Sequence, residues 1–133
     1  MATLHKSATV VDIEGLTIEE LVGNVGTKQD NLSVAHVTYS KPSEEPWLTI
    51  DYDEWLCVRK GKVEVKISED VVKSVGEGEV LHIPMGQRFK PSFPFAGTEY
   101  LAICSPAFIP ERCHREEDGK GAPSSKKDES DII

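Results

Sequence analysis

Between positions 32 and 108 the chain alternates apolar and polar residues in short runs. In Val63-Glu64-Val65-Lys66-Ile67 every second side chain is apolar, which sends one face into a core and the other into water. LSVAHVTY (32–39) is rich in β-branched and aromatic residues. PWLTIDYDEW follows the turn-like KPSEEP, and WLCVRKGKVEVKI contains a tight reversal at Lys60-Gly61-Lys62. Further runs, VVKSV, EVLHIP, QRFKPSF and TEYLAICSPAF, are punctuated by turn residues at intervals of roughly 8 to 12 positions, the spacing of a β-sandwich or barrel.

The two ends of the chain depart from this pattern. Thr17-Ile18-Glu19-Glu20 matches a capping box, Leu21 and Val22 follow, and Gly23 offers a left-handed stop, so one short helix is predicted over about 17–22. Residues 117–133, EDGKGAPSSKKDESDII, are Gly, Pro, Ser and charge apart from one Ile pair, too little apolar surface to offset their ordering entropy. The expected organisation is a lead-in over 1–30, a barrel over 31–116 and a disordered tail over 117–133.

Composition narrows the partners. With 133 residues, 38% of them apolar, the chain is the size of one domain with a sizeable core. No apolar run approaches the roughly 18 residues of a membrane span, and no charged-then-apolar leader opens the chain, so a cytoplasmic protein without a membrane partner is expected. The net charge of −8, from 23 acids and 15 bases, gives no electrostatic attraction to a polyanion, and no nucleic-acid partner is expected. Cys57, Cys104 and Cys113 are odd in number and lack C-x-x-C spacing, which predicts reduced thiols rather than disulfides or a zinc knuckle.

Two blocks carry more specific information. Glu54 is followed by six residues and then Gly61; Gly78 is followed by five residues and then Pro84-Met85-Gly86. In this order within an all-β pattern they resemble the two motifs of the cupins, over about residues 32–108. The resemblance implies a cupin double-stranded β-helix, a jelly-roll barrel, here with one short N-terminal helix. IDYDEWLCVRKGKVEV, GEGEVLHIPMG and TEYLAICSPAF look like the ethanolamine-utilisation Q-type cupins, for which acetate kinase activity is implied. The resemblance also implies a homodimer.

The departures from the motif matter most. Metal-binding cupins place His-x-His before the glutamate, which falls on Trp47 and Thr49 or, at the shorter spacing, on Leu48 and Ile50. The second-motif histidine falls on Phe89. One carboxylate, Glu54, does not make a transition-metal site, so no cofactor is expected. A metal held by an altered set would draw on His36, His82, Asp51 and Glu54.

If Glu54 faces inward, Leu56 and Val58 do too, and a carboxylate among apolar walls is a candidate general acid or base. Asp51 and Tyr52 are the expected catalytic helpers. Thr49, Gln87, Phe89 and Tyr100 are candidate substrate-binding residues. The function expected is metal-independent acid–base chemistry on a small, sugar-like molecule: dehydration, isomerisation or epimerisation. The alternative from another class is a barrel that binds or assembles without catalysis. Three polar groups converging inward favour the enzyme; a pocket filled by Trp47, Phe89 and Leu56 favours the binder.

Overall fold

The computed structural model describes residues 1–116, and the expected disordered tail at 117–133 lies outside the described residues. The strands are β1 (Ala8–Ile13), β2 (Leu16–Val22), β3 (Ser33–Tyr39), β4 (Ser43–Glu44), β5 (Leu48–Ile50) and β6 (Asp53–Lys60). They continue with β7 (Val63–Lys66), β8 (Val72–Val75), β9 (Val80–Ile83), β10 (Arg88–Phe93), β11 (Thr98–Ser105) and β12 (Cys113–Arg115). One sheet runs in the order β1-β2-β3-β11-β6-β9. The other runs β12-β5-β10-β7-β8, with β4 also paired to β10.

The expected helix at 17–22 is strand β2 instead. Leu16, Ile18 and Glu20 are buried and alternate with Thr17 and Glu19, a period of two rather than 3.6. Tertiary pairing overrides the capping-box signal: Thr17 lies opposite Thr38 on β3, and Glu20 opposite Ala35. The Glu20 carboxylate, an unusual inward group, accepts hydrogen bonds at one oxygen from the Val25 and Gly26 amides (2.8 and 2.7 Å).

The reversal at Lys60-Gly61-Lys62 is a corner between sheets rather than a hairpin. β6 pairs with β11 and β9, while β7 pairs with β10 and β8. Alternation on β6 and β11 drives the inward face: Glu54, Leu56 and Val58 stand beside Cys104, Ala102 and Tyr100. At one end of the interior Tyr39, Phe93 and Tyr100 stack, with ring centroids 3.9 and 5.7 Å apart, and bury large apolar area. At the other end the inward positions are small: Ser33 and Ala35 on β3, Ala102 and Cys104 on β11.

Candidate functional site

Glu54 is 2% exposed, on the inward face of β6 between Cys104 of β11 and Ile83 of β9. Burial alone pushes its carboxyl up to about 8, because a charge there forfeits its hydration. Glu54 is therefore largely protonated at neutral pH and stands as a hydrogen-bond donor. Tyr52 and Tyr100 are fully buried around it. The Tyr100 hydroxyl has no hydrogen-bond partner among the described residues, and the Tyr52 hydroxyl has the Cys113 thiol, a weak partner, beside it. Burial first, and the nearby Glu54 charge among the lesser causes, pushes both phenols and the Cys104 thiol well above their ordinary range.

A cavity of about 150 Å³ lies over the small inward residues of β3 and β11. Its walls include Ile18, Ala35, Ala102 and Cys104, with Val25 and Phe108 among the remainder. Two of these residues are shared with the buried cluster. Cys104 is the cross-strand neighbour of Glu54, and the Phe108 ring stands edge-on to Tyr52 at 6.1 Å. The loop from 23 to 31 closes over one side, clasped to the 105–112 segment. Arg112 donates to both carboxylate oxygens of Asp30 at 2.9 Å, the Ala107 amide donates to the Asp30 carbonyl, and the Phe108 amide donates to Ser33 Oγ. Arg112, and then Asn24, hold the Asp30 carboxyl down at about 2.

A larger cavity, about 340 Å³, opens beside Tyr39, Lys41, Glu44, Glu45 and Arg115. Its polar walls pair with one another or with neighbours: Arg115 with Glu45, Tyr39 Oη donating to Glu45 at 2.9 Å, Lys41 with Glu14, and Lys90 with Glu44 at 2.8 Å. Glu54 does not line it, and its charged side chains form ion pairs with one another and with neighbours.

Of the residues singled out from sequence, the interior gathers Glu54, Tyr52, Tyr100 and Phe89, all buried. It does not gather Asp51, Thr49 or Gln87. Asp51 is exposed and bonded to His114 (2.5 Å). Thr49 alternates with the buried Leu48 and Ile50, and lies between Arg88 and His114 in the ladder. The Gln87 amide donates to the Arg88 carbonyl at 2.7 Å. The inward pair ahead of Glu54 is thus Leu48 and Ile50, because β5 turns those two to the core, while Trp47 lies outside beneath Arg88.

The alternative ligand set does not converge either. His36 points outward to Glu99 (3.1 Å) and Glu19, while His82 stacks on Trp55 and bonds Asp53 at 3.0 Å. Among the described residues no three His, Cys, Asp or Glu side chains come together as metal ligands. With Leu48, Ile50 and Phe89 at the inward positions, the histidine positions of the motif carry no metal-ligating side chain. The residues missed from sequence are Ser33, Ala35, Ala102, Cys104 and Phe108. The signal for the first four was present as small residues at alternate positions of two strands, Ser-x-Ala and Ala-x-Cys.

No protein-family model matches the chain. It is 31% identical over 118 residues to a protein of Myxococcus xanthus named endoribonuclease YbeY, a match covering 85% of this chain and 38% of that protein. Among solved structures, oxalate decarboxylase from Bacillus subtilis at pH 4.6 superposes with a TM-score of 0.68 at 16% identity, covering 86% of this chain and 33% of the enzyme. A single-residue mutant of that enzyme gives 0.73 at 18%, covering 89% and 33%. Another structure, described for its Mn(II) centres, gives 0.67 at 16%, covering 86% and 33%. The chain thus spans between a third and two fifths of the length of these relatives. Two facing antiparallel sheets, the Glu54–Gly61 and Gly78–Gly86 blocks at their turns, and these superpositions agree: the chain has the cupin fold.

Proposed function

We propose that the barrel binds a small molecule and performs metal-independent acid–base chemistry on it, with Glu54 as the proton-carrying group. The observation that carries this reading is a carboxyl buried inside a barrel, which loss of hydration raises to about 8, beside the weakly engaged hydroxyls of Tyr52 and Tyr100. Such a group acts as an acid first and as a base once it has given its proton. In a dehydration, Glu54 protonates a departing hydroxyl, which leaves as water. The resulting carboxylate then takes the proton from the adjacent carbon, and the electron pair of that C–H bond forms the double bond. The two phenols hold the substrate oxygen.

The test is incubation of wild type and Glu54→Gln with small β-hydroxy carbonyl compounds in deuterated water, followed by NMR. Loss of water or uptake of deuterium is expected with wild type, and on the order of 100-fold slower with the variant. Equal rates remove Glu54 from the chemistry. A second reading, a barrel that binds without catalysis, is favoured by one observation: the cavity reaches Cys104 and Phe108 but not Glu54 itself. Binding that persists in Glu54→Gln, with no turnover by wild type, selects it.

The acetate kinase and endoribonuclease activities of the resembling proteins are not carried over. Lys, Arg and His are absent from the residues lining the cavity near Glu54, and the chain carries −8. The expected homodimer is retained in the proposal. On the outer face of the six-stranded sheet Ile103 lies between Val34 and Trp55, with Leu101 nearby, all half-buried. Sedimentation at micromolar concentration should give twice the chain mass, and a monomer would remove this element. No helix among the described residues is long and apolar enough to cross a membrane.

A further inference from the structure

The cavity beside Glu54 carries information about what fills it. Its floor exists because β3 and β11 place small side chains inward at Ser33, Ala35, Ala102 and Cys104; elsewhere the same faces carry Val37, Tyr39 and Tyr100. A cavity of about 150 Å³ with mainly apolar walls is of the size that holds one six-membered carbon ring.

Its few polar groups are partly committed. One oxygen of Glu20 accepts from two amides, Ser33 Oγ from the Phe108 amide, and the Asn24 side-chain amide donates to Asp30 at 2.8 Å. A polyol entering here would leave several hydroxyls desolvated and unpaired. An anion would meet the Glu20 carboxylate with no cationic side chain on the wall. What remains is an uncharged molecule with an apolar body.

We propose that this cavity accepts a compact apolar ring or branched chain of about six carbons whose only polar groups are uncharged oxygens, a ketone, an alcohol or the two together. The oxygen is directed at the Cys104–Phe108 wall, behind which stand Glu54 and Tyr52. The direction of the oxygen rests on the acid–base reading above; the class of the body rests on the cavity alone. Phosphates, carboxylates and sugars are excluded.

The experiment is an NMR titration of the full chain, labelled at alanine methyls, with cyclohexanone, cyclohexanecarboxylate and glucose. Cyclohexanone should shift the Ala35 and Ala102 methyl signals of the wild type. In the cavity-filling variants Ala102→Leu and Ala35→Leu its affinity should fall at least about tenfold, the single large side chain occupying the ring's place. Two variants are used so that a failure to fold in one leaves the other. Saturable binding of glucose or cyclohexanecarboxylate at these methyls overturns the proposal. So does an absence of cyclohexanone shifts, or affinity unchanged by filling.

Infrared difference spectra of wild type minus Glu54→Gln separate the two readings. A protonated-carboxyl band titrating near 8 without cyclohexanone binding removes only the ligand class. Cyclohexanone binding without such a band upholds the apolar body and removes the Glu54 chemistry together with the direction of the oxygen.

Discussion

Glu54→Gln is expected to raise the melting temperature at pH 9 by some 10 to 20 °C and to leave it within a few degrees at pH 5. The direction follows from the two protonation states of one carboxyl. Unfolded, it titrates near its ordinary 4.5; folded, burial raises it to about 8. Between those values the folded chain holds a proton that the unfolded chain has released, so stability falls as pH rises from about 4.5 to about 8. Above about 8 the carboxyl is ionised in both states and the loss is complete. At roughly 1.4 kcal/mol per pH unit the loss comes to roughly 4 to 5 kcal/mol, and at pH 5 it is under about 1 kcal/mol. Glutamine keeps the shape without the charge and escapes the loss.

The measurement is thermal unfolding of both proteins from pH 5 to 9. Most other titrating groups are common to the pair, so the difference isolates Glu54. A difference that stays flat across this range would mean that the carboxyl is hydrated in the folded protein. The acid–base proposal would then lose its support.

How much of this was legible from the residues depends on whether a position is set by its neighbours in sequence or across a strand. Val63–Lys66 was readable because apolar and polar residues alternate there, whereas Trp55-Leu56-Cys57-Val58 is a continuous apolar run in which only the two-residue parity of a strand placed Leu56 and Val58 with Glu54. β2 was unreadable for a physical reason. Glu20 faces inward, and an acid at an inward position breaks the apolar alternation that marks a strand. What stabilises it, two amides from the loop at 25 and 26, lies outside the strand. Thr49 and Asp51 share a parity that looked inward when counted from the longer motif spacing. The pairing of β5 with β10 and β12 fixes the other parity. The cavity was invisible for a related reason: Ala35 and Ala102 are ordinary residues until β3 and β11 are paired and both methyl groups face one void.

The motif glycines show the same limit, and they yield the second large effect. Gly61 and Gly78 both sit at positive φ, 75° and 83°, where a Cβ carries a penalty on the order of 1 kcal/mol. From sequence the two are equivalent turn residues. In the fold they are not. A Cβ on Gly61 would stand 2.5 Å from Thr98 Oγ1 and 3.1 Å from its Cα, whereas a Cβ on Gly78 meets nothing within 4 Å. Thr98 cannot yield: it is fully buried at the start of β11, its hydroxyl donates to the Phe95 carbonyl at 2.8 Å, and its neighbour Gly97 is tied to Tyr39.

Gly61→Ala should therefore lose about 3 kcal/mol or more, against about 1 kcal/mol for Gly78→Ala. In melting temperature that is a drop of about 10 °C or more against a few degrees. Chemical denaturation of the two variants beside wild type reads the ratio directly. Equal losses would show that the corner between β6 and β7 can relax away from Thr98. The Gly61 corner would then be a matter of backbone conformation alone, as the sequence motif by itself suggests. A threefold difference would show that the first-motif glycine is required by the close approach of β11, the strand that carries Tyr100, Ala102 and Cys104 into the site.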